Sequence, residues 1–165
     1  MEYVYIGKIV NTHGIKGELR IKSNFDKKDL VFKPGITFYI GEGYVPEEVV
    51  TYRKHKEFDM VTFKGYTNIN EVLNYVNHKV FVNRDDLQLN NNEYLLDDLI
   101  GMIVIENGEV LGTVNDIEEN GINILLCIKG NKDFYIPKHD NFIKYVKLKE
   151  KEIIVENAKG LILWE

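Results

Sequence analysis

Short β-prone runs, each cut off within a few residues by a turn signal, succeed one another along most of this chain. The pattern leaves little room for long helices. Tyr3–Ile6 with Ile9 and Val10 form the first run, and Asn11–Gly17 reads as a loop marked by Gly14 and Gly17. Glu18-Leu-Arg-Ile-Lys22 then alternates strictly. Leu19 and Ile21 point to one face, and Glu18, Arg20 and Lys22 to the other, as a half-buried strand requires. Thr37–Ile40, Glu48–Tyr52, Met60–Phe63 and Lys79–Val82 continue the series, punctuated by Pro34-Gly35 and by Gly41 and Gly43. After residue 100 it resumes with Met102–Ile105, Val110–Ile117, Ile122–Ile128, Phe134–Ile136, Ile153–Val155 and Leu161–Trp164. Asn107-Gly108 and Asn120-Gly121 are hairpin signals, and Gly112 marks a possible bulge. The expected fold class is all-β, with a small barrel in each half, because closure leaves few exposed edges.

One helix is expected within this pattern. Asn68 caps it, Glu71 stands where a capping box needs a carboxylate, and Val72, Leu73 and Val76 form its apolar face. Asn77 suits the left-handed residue that ends it. Asn83–Asn92 is polar and ends in three asparagines. A stretch of this kind reads better as a domain boundary than as a loop inside one domain. The expected division is a first domain over 1–84, a linker over 85–92 and a second domain over 93–165.

The charge is split between the halves. Residues 1–85 hold 13 Lys+Arg against 11 Asp+Glu, and residues 86–165 hold 8 against 15. An acidic second half suits a basic protein partner as well as it suits plain solubility. Cys127 is the only cysteine, so a disulfide within the chain is excluded and a reducing compartment is expected. Met1–Val10 lacks the apolar core of a signal peptide. With no apolar run of about 20 residues either, a cytoplasmic protein is expected.

A search for catalytic chemistry returns little. The four histidines, His13, His55, His78 and His139, lack zinc-site spacing, and a lone cysteine makes no thiolate cluster. Cys127 sits in Asn-Ile-Leu-Leu-Cys-Ile and is expected to be a buried, inert thiol. Ser23 is the only serine, and it stands in no nucleophile elbow. Neither Gly7-Lys8 nor Gly14–Gly17 forms a phosphate loop. No catalytic residue, metal or cofactor is therefore assigned. Lys8, His13, Lys16, Arg20, Lys22, Lys27 and Lys28 cluster within two strands, and such cations on a loop and strand can meet phosphates. A solvated charged strand would look the same, and the sequence carries no aromatic stacking motif of an RNA-recognition module.

Gly7-Lys-Ile-Val-Asn-Thr-His-Gly-Ile-Lys-Gly-Glu-Leu19 resembles the opening signature of the bacterial ribosome maturation factor RimM family. So, in order, do Asn70-Glu71, Glu93-Tyr94 with Asp98-Leu-Ile-Gly101, Gly108–Val114, Ile136-Pro137 and Gly160-Leu161. The resemblance spans essentially the whole chain. It implies a first barrel like that of translation factors and a second of the PRC type. It implies a non-enzymatic factor for assembly of the small-subunit head and processing of 16S rRNA, with small-subunit ribosomal protein nineteen as partner. The family's usual Tyr-Tyr, two variable residues and Asp-Leu-x-Gly becomes Tyr94, Leu95, Asp98, Leu99 and Gly101 here, with Leu95 at the second tyrosine. Those five are the expected partner-binding residues, and Lys147 replaces a usual acidic residue. His13, Lys16, Arg20 and Lys22 are the expected RNA contacts. A stand-alone RNA-binding barrel, an RNA-modifying enzyme and a non-ribosomal PRC scaffold are the competing readings, and a monomer is expected.

Overall fold

The computed structural model describes residues 1–120 and 122–162 and divides into two compact units, Met1–Asn90 and Asn91–Glu165. The first unit holds β1 (Tyr3–His13), β2 (Glu18–Lys22), β3 (Thr37–Ile40), β4 (Val45–His55), β5 (Phe58–Phe63) and β6 (Lys79–Asn83). They close as a barrel in the order β1-β2-β5-β4-β3-β6, with every pairing antiparallel. Bulges let so small a barrel turn its corners. β1 is irregular between Tyr5 and Gly7 against β6 and again between Ile9 and Asn11 against β2. At Gly7 a Cβ would stand 2.7 Å from the Lys22 carbonyl oxygen, so the crossing of β1 and β2 needs glycine there.

Leu19 and Ile21 are fully buried, as their alternation requires, together with Ile9, Phe38, Val49, Val61, Val80 and Val82. One helical turn, α1 (Lys28–Val31), delivers Val31 and the following Phe32 to this core. Neither periodicity nor capping residues mark that element in the sequence. The loop expected over Asn11–Gly17 is shorter: Asn11–His13 continue β1 and pair with Glu18–Arg20, leaving only residues 14–17 as the turn.

The expected helix after Asn68 is instead two 3-10 turns, Ile69–Glu71 and Leu73–Tyr75. Its cap is present: Asn68 Oδ1 accepts from the Asn70 amide at 3.0 Å, and Glu71 accepts from the Thr67 and Asn68 amides. The apolar face differs. Three residues per turn bring Val72 and Tyr75 together in the core, while Leu73 is half exposed. Asn77 adopts φ 74° as expected. Arg84–Leu87 form a further 3-10 turn whose Leu87 is buried.

The second unit holds β7 (Ile103–Glu106), β8 (Glu109–Asn120), β9 (Asn123–Lys129), β10 (Phe134–Pro137), β11 (Ile143–Lys147) and β12 (Glu152–Val155). The sheet order is β10-β9-β8-β7-β12-β11, antiparallel except between β12 and β7. Both outer strands feed one core: Phe134 and Ile136 from β10 and Ile143 and Val146 from β11 pack with Val104, Leu126 and Ile153. Asn107 and Gly108 both take positive φ between the paired Glu106 and Glu109, the two-residue hairpin that their types predict. Gly112 lies at a bulge, also as expected.

β11 is an addition to the expected strands. Ile122 is almost wholly exposed and β9 begins after it; Gly121, in the second hairpin signal, lies outside the described residues. Leu161 and Ile162 belong to a helical turn, α2 (Lys159–Ile162), rather than to a closing strand, and Leu163 and Trp164 lie outside the described residues. Cys127 is half-buried, not buried, because it alternates with the inward Leu126 and Ile128. Burial, then Glu118 and Asp116, push its thiol pKa upward, away from the reactive thiolate.

Candidate functional site

The register puts His13 opposite Glu18, and Arg20 and Arg53 on either side of Met60, so these side chains share the outer face of the barrel sheet. Arg20 Nη2 donates to His13 Nδ1 at 2.8 Å, and its guanidinium carbon stands 5.7 Å from the centre of the Phe58 ring. The Arg20 Nε is buried without a hydrogen-bond partner. Arg53 grips Glu18 with two bonds of 2.9 and 2.8 Å, which hold the Glu18 carboxyl below its ordinary pKa against the opposing effect of burial. The His55 ring lies 5.3 Å from that of His13. Desolvation first, then the positive charge of Arg53, keeps His55 below its ordinary value.

The four expected RNA contacts are thus divided. His13 and Arg20 join one network. Lys16 is exposed in the turn between β1 and β2, and Lys22 lies at the far end of β2, opposite Lys8. Lys28, part of the same sequence cluster, serves the barrel instead, its ammonium meeting the fully buried Asp59 at 2.8 Å. Arg53, His55 and Phe58 complete the network and were missed by sequence reasoning. The basic run Arg53-Lys-His-Lys56 between two β-runs is the signal by which a reading of the sequence could have found them.

In the second unit, Leu96–Leu99 form a 3-10 turn. Asp98 closes it by accepting from the Leu95 amide at 2.8 Å, while its own amide donates to the Leu95 carbonyl. Leu95 and Leu99 are buried. Gly101 takes φ 90° and donates to the Val114 carbonyl, which fixes the start of β7. Tyr94 is half-buried against the core, with the Lys138 ammonium 5.6 Å from its ring centre. Of the five expected partner-binding residues, Tyr94 therefore offers the aromatic surface, and Leu95, Asp98, Leu99 and Gly101 shape the turn that carries it.

Among the described residues, no three His, Cys, Asp or Glu side chains gather as a metal site, and no helix is long and apolar enough to cross a membrane. A family profile described as "RimM N-terminal domain" matches residues 4–87, and one described as "RimM PRC barrel domain" matches residues 96–161. The chain is 38% identical to a ribosome maturation factor RimM of Staphylococcus haemolyticus, covering 96% of this chain and 98% of that protein. It is 36% identical to one from Exiguobacterium, covering 98% of each. A crystal structure from Pseudomonas aeruginosa, described as a putative 16S ribosomal RNA processing protein RimM, is 23% identical, covers 96% of this chain and 99% of its own, and superposes with a TM-score of 0.47. With both family profiles matched in order and relatives aligned nearly end to end, this chain belongs to the RimM family.

Proposed function

We propose that this chain is a ribosome maturation factor that assists assembly of the head of the small (30S) subunit and processing of 16S rRNA by binding small-subunit ribosomal protein nineteen. The observation that carries the reading is the ordered match of both RimM domains, with full-length relatives that are named ribosome maturation factors. The RimM family is non-enzymatic. The work is then done by surfaces. In the second domain, over 93–165, an acidic balance of 8 basic against 15 acidic residues over 86–165 complements a basic ribosomal protein. Tyr94 is its aromatic anchor. In the first, over 1–84, Arg20 with His13, His55 and the Arg53–Glu18 pair forms a face of hydrogen-bonding groups for ribosomal RNA.

Affinity purification of the tagged full-length chain from a bacterial lysate tests this. Precursors of the small subunit and small-subunit ribosomal protein nineteen are expected to be enriched. Recovery of neither would overturn the reading. Enrichment of proteins outside the ribosome would favour a scaffold, and of bare RNA alone, a stand-alone RNA-binding barrel.

A further inference from the structure

Three lysines of the first barrel stand abreast on neighbouring strands. Lys79 of β6 pairs with Lys8 of β1, and Lys8 pairs with Lys22 of β2. All three are exposed, and none makes an ion pair with a carboxylate of the described residues. Like charges directly opposite one another destabilise a sheet. A row of this kind makes sense where a polyanion neutralises it.

Beside the row lies a continuous set of aromatic rings. Tyr5 pairs with Phe81, and Phe81 with Tyr39. Tyr44 meets Phe81 edge-on at 5.1 Å and stacks on Tyr3 at 3.9 Å, 6° from parallel. Tyr5 is 52% exposed, and Tyr3 and Tyr44 are more than a third exposed. The Lys79 ammonium stands 5.9 Å from the centre of the Tyr5 ring, so the row and the rings share one surface. Tyr44 has φ 50°, a backbone state that a bulky residue rarely adopts, and it presents the ring on the outside of the barrel. A groove of 690 Å³ opens next to it, lined by Tyr44, Phe81 and Lys79 with Asn77, His78 and Glu42. That volume accommodates a nucleobase, and the lining supplies both ring faces and polar edges.

We propose that this outer face of β2-β1-β6-β3 binds single-stranded RNA, with bases stacked on Tyr5 and Tyr44 and phosphates along Lys79, Lys8 and Lys22. An acidic protein would satisfy the lysines without needing stacked rings. Duplex RNA hides its base faces. Only an unpaired strand presents a regular run of charge and free π-faces together. The face adjoins the Arg20–His13 network, because Arg20 stands two residues from Lys22 on the same side of β2, and its assignment rests on the reading of the first domain as RNA-facing.

The test is binding of the full-length chain to a fluorescein-labelled single-stranded oligouridylate, with a duplex of equal length for comparison. The single strand is expected to bind more tightly. Tyr5→Ala and Tyr44→Ala are each expected to weaken it at least tenfold, with Tyr44→Phe retaining affinity. Replacing Lys8, Lys22 and Lys79 together by Gln should reduce the log–log salt slope by about 2, at about 0.7 per phosphate contact. Circular dichroism and urea midpoints confirm that each variant is folded. Unchanged binding in the folded variants, or weakening by Arg20→Gln alone, would overturn the proposal. So would loss of ribosomal protein from purified complexes with RNA affinity intact, since the face would then dock protein. If the oligouridylate responds as expected while small-subunit precursors are not enriched, the surface stands and the maturation reading falls.

Discussion

The guanidinium of Arg20 donates to Nδ1 of His13 across the outer face of β1 and β2 at 2.8 Å. Arginine has no acceptor to offer, so this nitrogen carries the lone pair and the His13 proton sits on Nε2. Nitrogen-correlated NMR is expected to show the Nε2–H tautomer for His13. A predominant Nδ1–H form would show that the bond does not exist in solution.

Asp59 is fully buried at one end of the barrel core and held by three groups. Lys28 stands at 2.8 Å, the Tyr52 hydroxyl donates at 2.7 Å, and Lys54 lies at 3.7 Å. Removing Lys28 takes away its closest cation and leaves Lys54, more distant and half exposed. Lys28→Ala is expected to destabilise the protein by about 3 kcal/mol, measured by urea unfolding. A loss under about 1 kcal/mol would show that Lys28 contributes only as a surface charge.

Burial, then the hydrogen bond to Asp59, pushes the Tyr52 hydroxyl pKa up to about 12. An unfolded tyrosine titrates near 10. Between about pH 10 and 12 the folded state keeps a proton that the unfolded state has lost, so stability falls as pH rises through that window. Tyr75, desolvated and hydrogen-bonded to Glu47, shifts in the same direction. Tyr52→Phe is expected to flatten part of the alkaline decline in urea midpoint. An unaltered slope would place Tyr52 outside the linkage.

At Gly112 an added Cβ would collide with the Lys129 carbonyl oxygen, and at Gly130 with that of Leu111. The two glycines let β8 and the end of β9 pass at the bulge, where backbone rather than a yielding side chain blocks any addition. Gly112→Ala is expected to cost more than about 2 kcal/mol in thermal or urea unfolding. Gly160, where an added Cβ meets nothing, serves as the comparison and should tolerate Ala.

Tyr94 and Leu95 are adjacent but answer to different forces. Leu95 is 3% exposed, so Leu95→Ala should cost about 2–4 kcal/mol of stability. Tyr94→Ala should leave the fold intact and weaken binding to small-subunit ribosomal protein nineteen by about 2 kcal/mol, read by calorimetry. Unchanged affinity would remove Tyr94 from the partner surface.

Much of the fold was legible because it rests on local rules. Strict alternation located β2, and Asn107-Gly108 located a hairpin through its need for two positive φ angles. The capping residues Asn68 and Glu71 were right, but the helix type was not: whether the segment turns every three or every 3.6 residues depended on bringing Val72 and Tyr75 into the barrel. β11 escaped because its Lys144, Tyr145 and Lys147 mask the partly buried Ile143 and Val146. The Arg20 network was half legible. Arg20 was marked by its strand, but its neighbours Phe58, Arg53 and His55 come from a hairpin more than 30 residues away.

By itself, the sequence determined that this chain makes short strands and tight turns, that its halves differ in charge, and that it carries the RimM motifs in order. These follow from side-chain periodicity, turn chemistry and residue identity, which act over a few positions. Only the tertiary structure decided which side chains meet. Barrel closure set Lys79 beside Lys8 and Lys22, ranged Tyr3, Tyr5, Tyr39, Tyr44 and Phe81 on one surface, and turned Lys28 inward to Asp59. The physical reason is register. Strand pairing between distant segments selects the face and neighbours of every side chain, and that selection is made by packing the whole core rather than by any local preference.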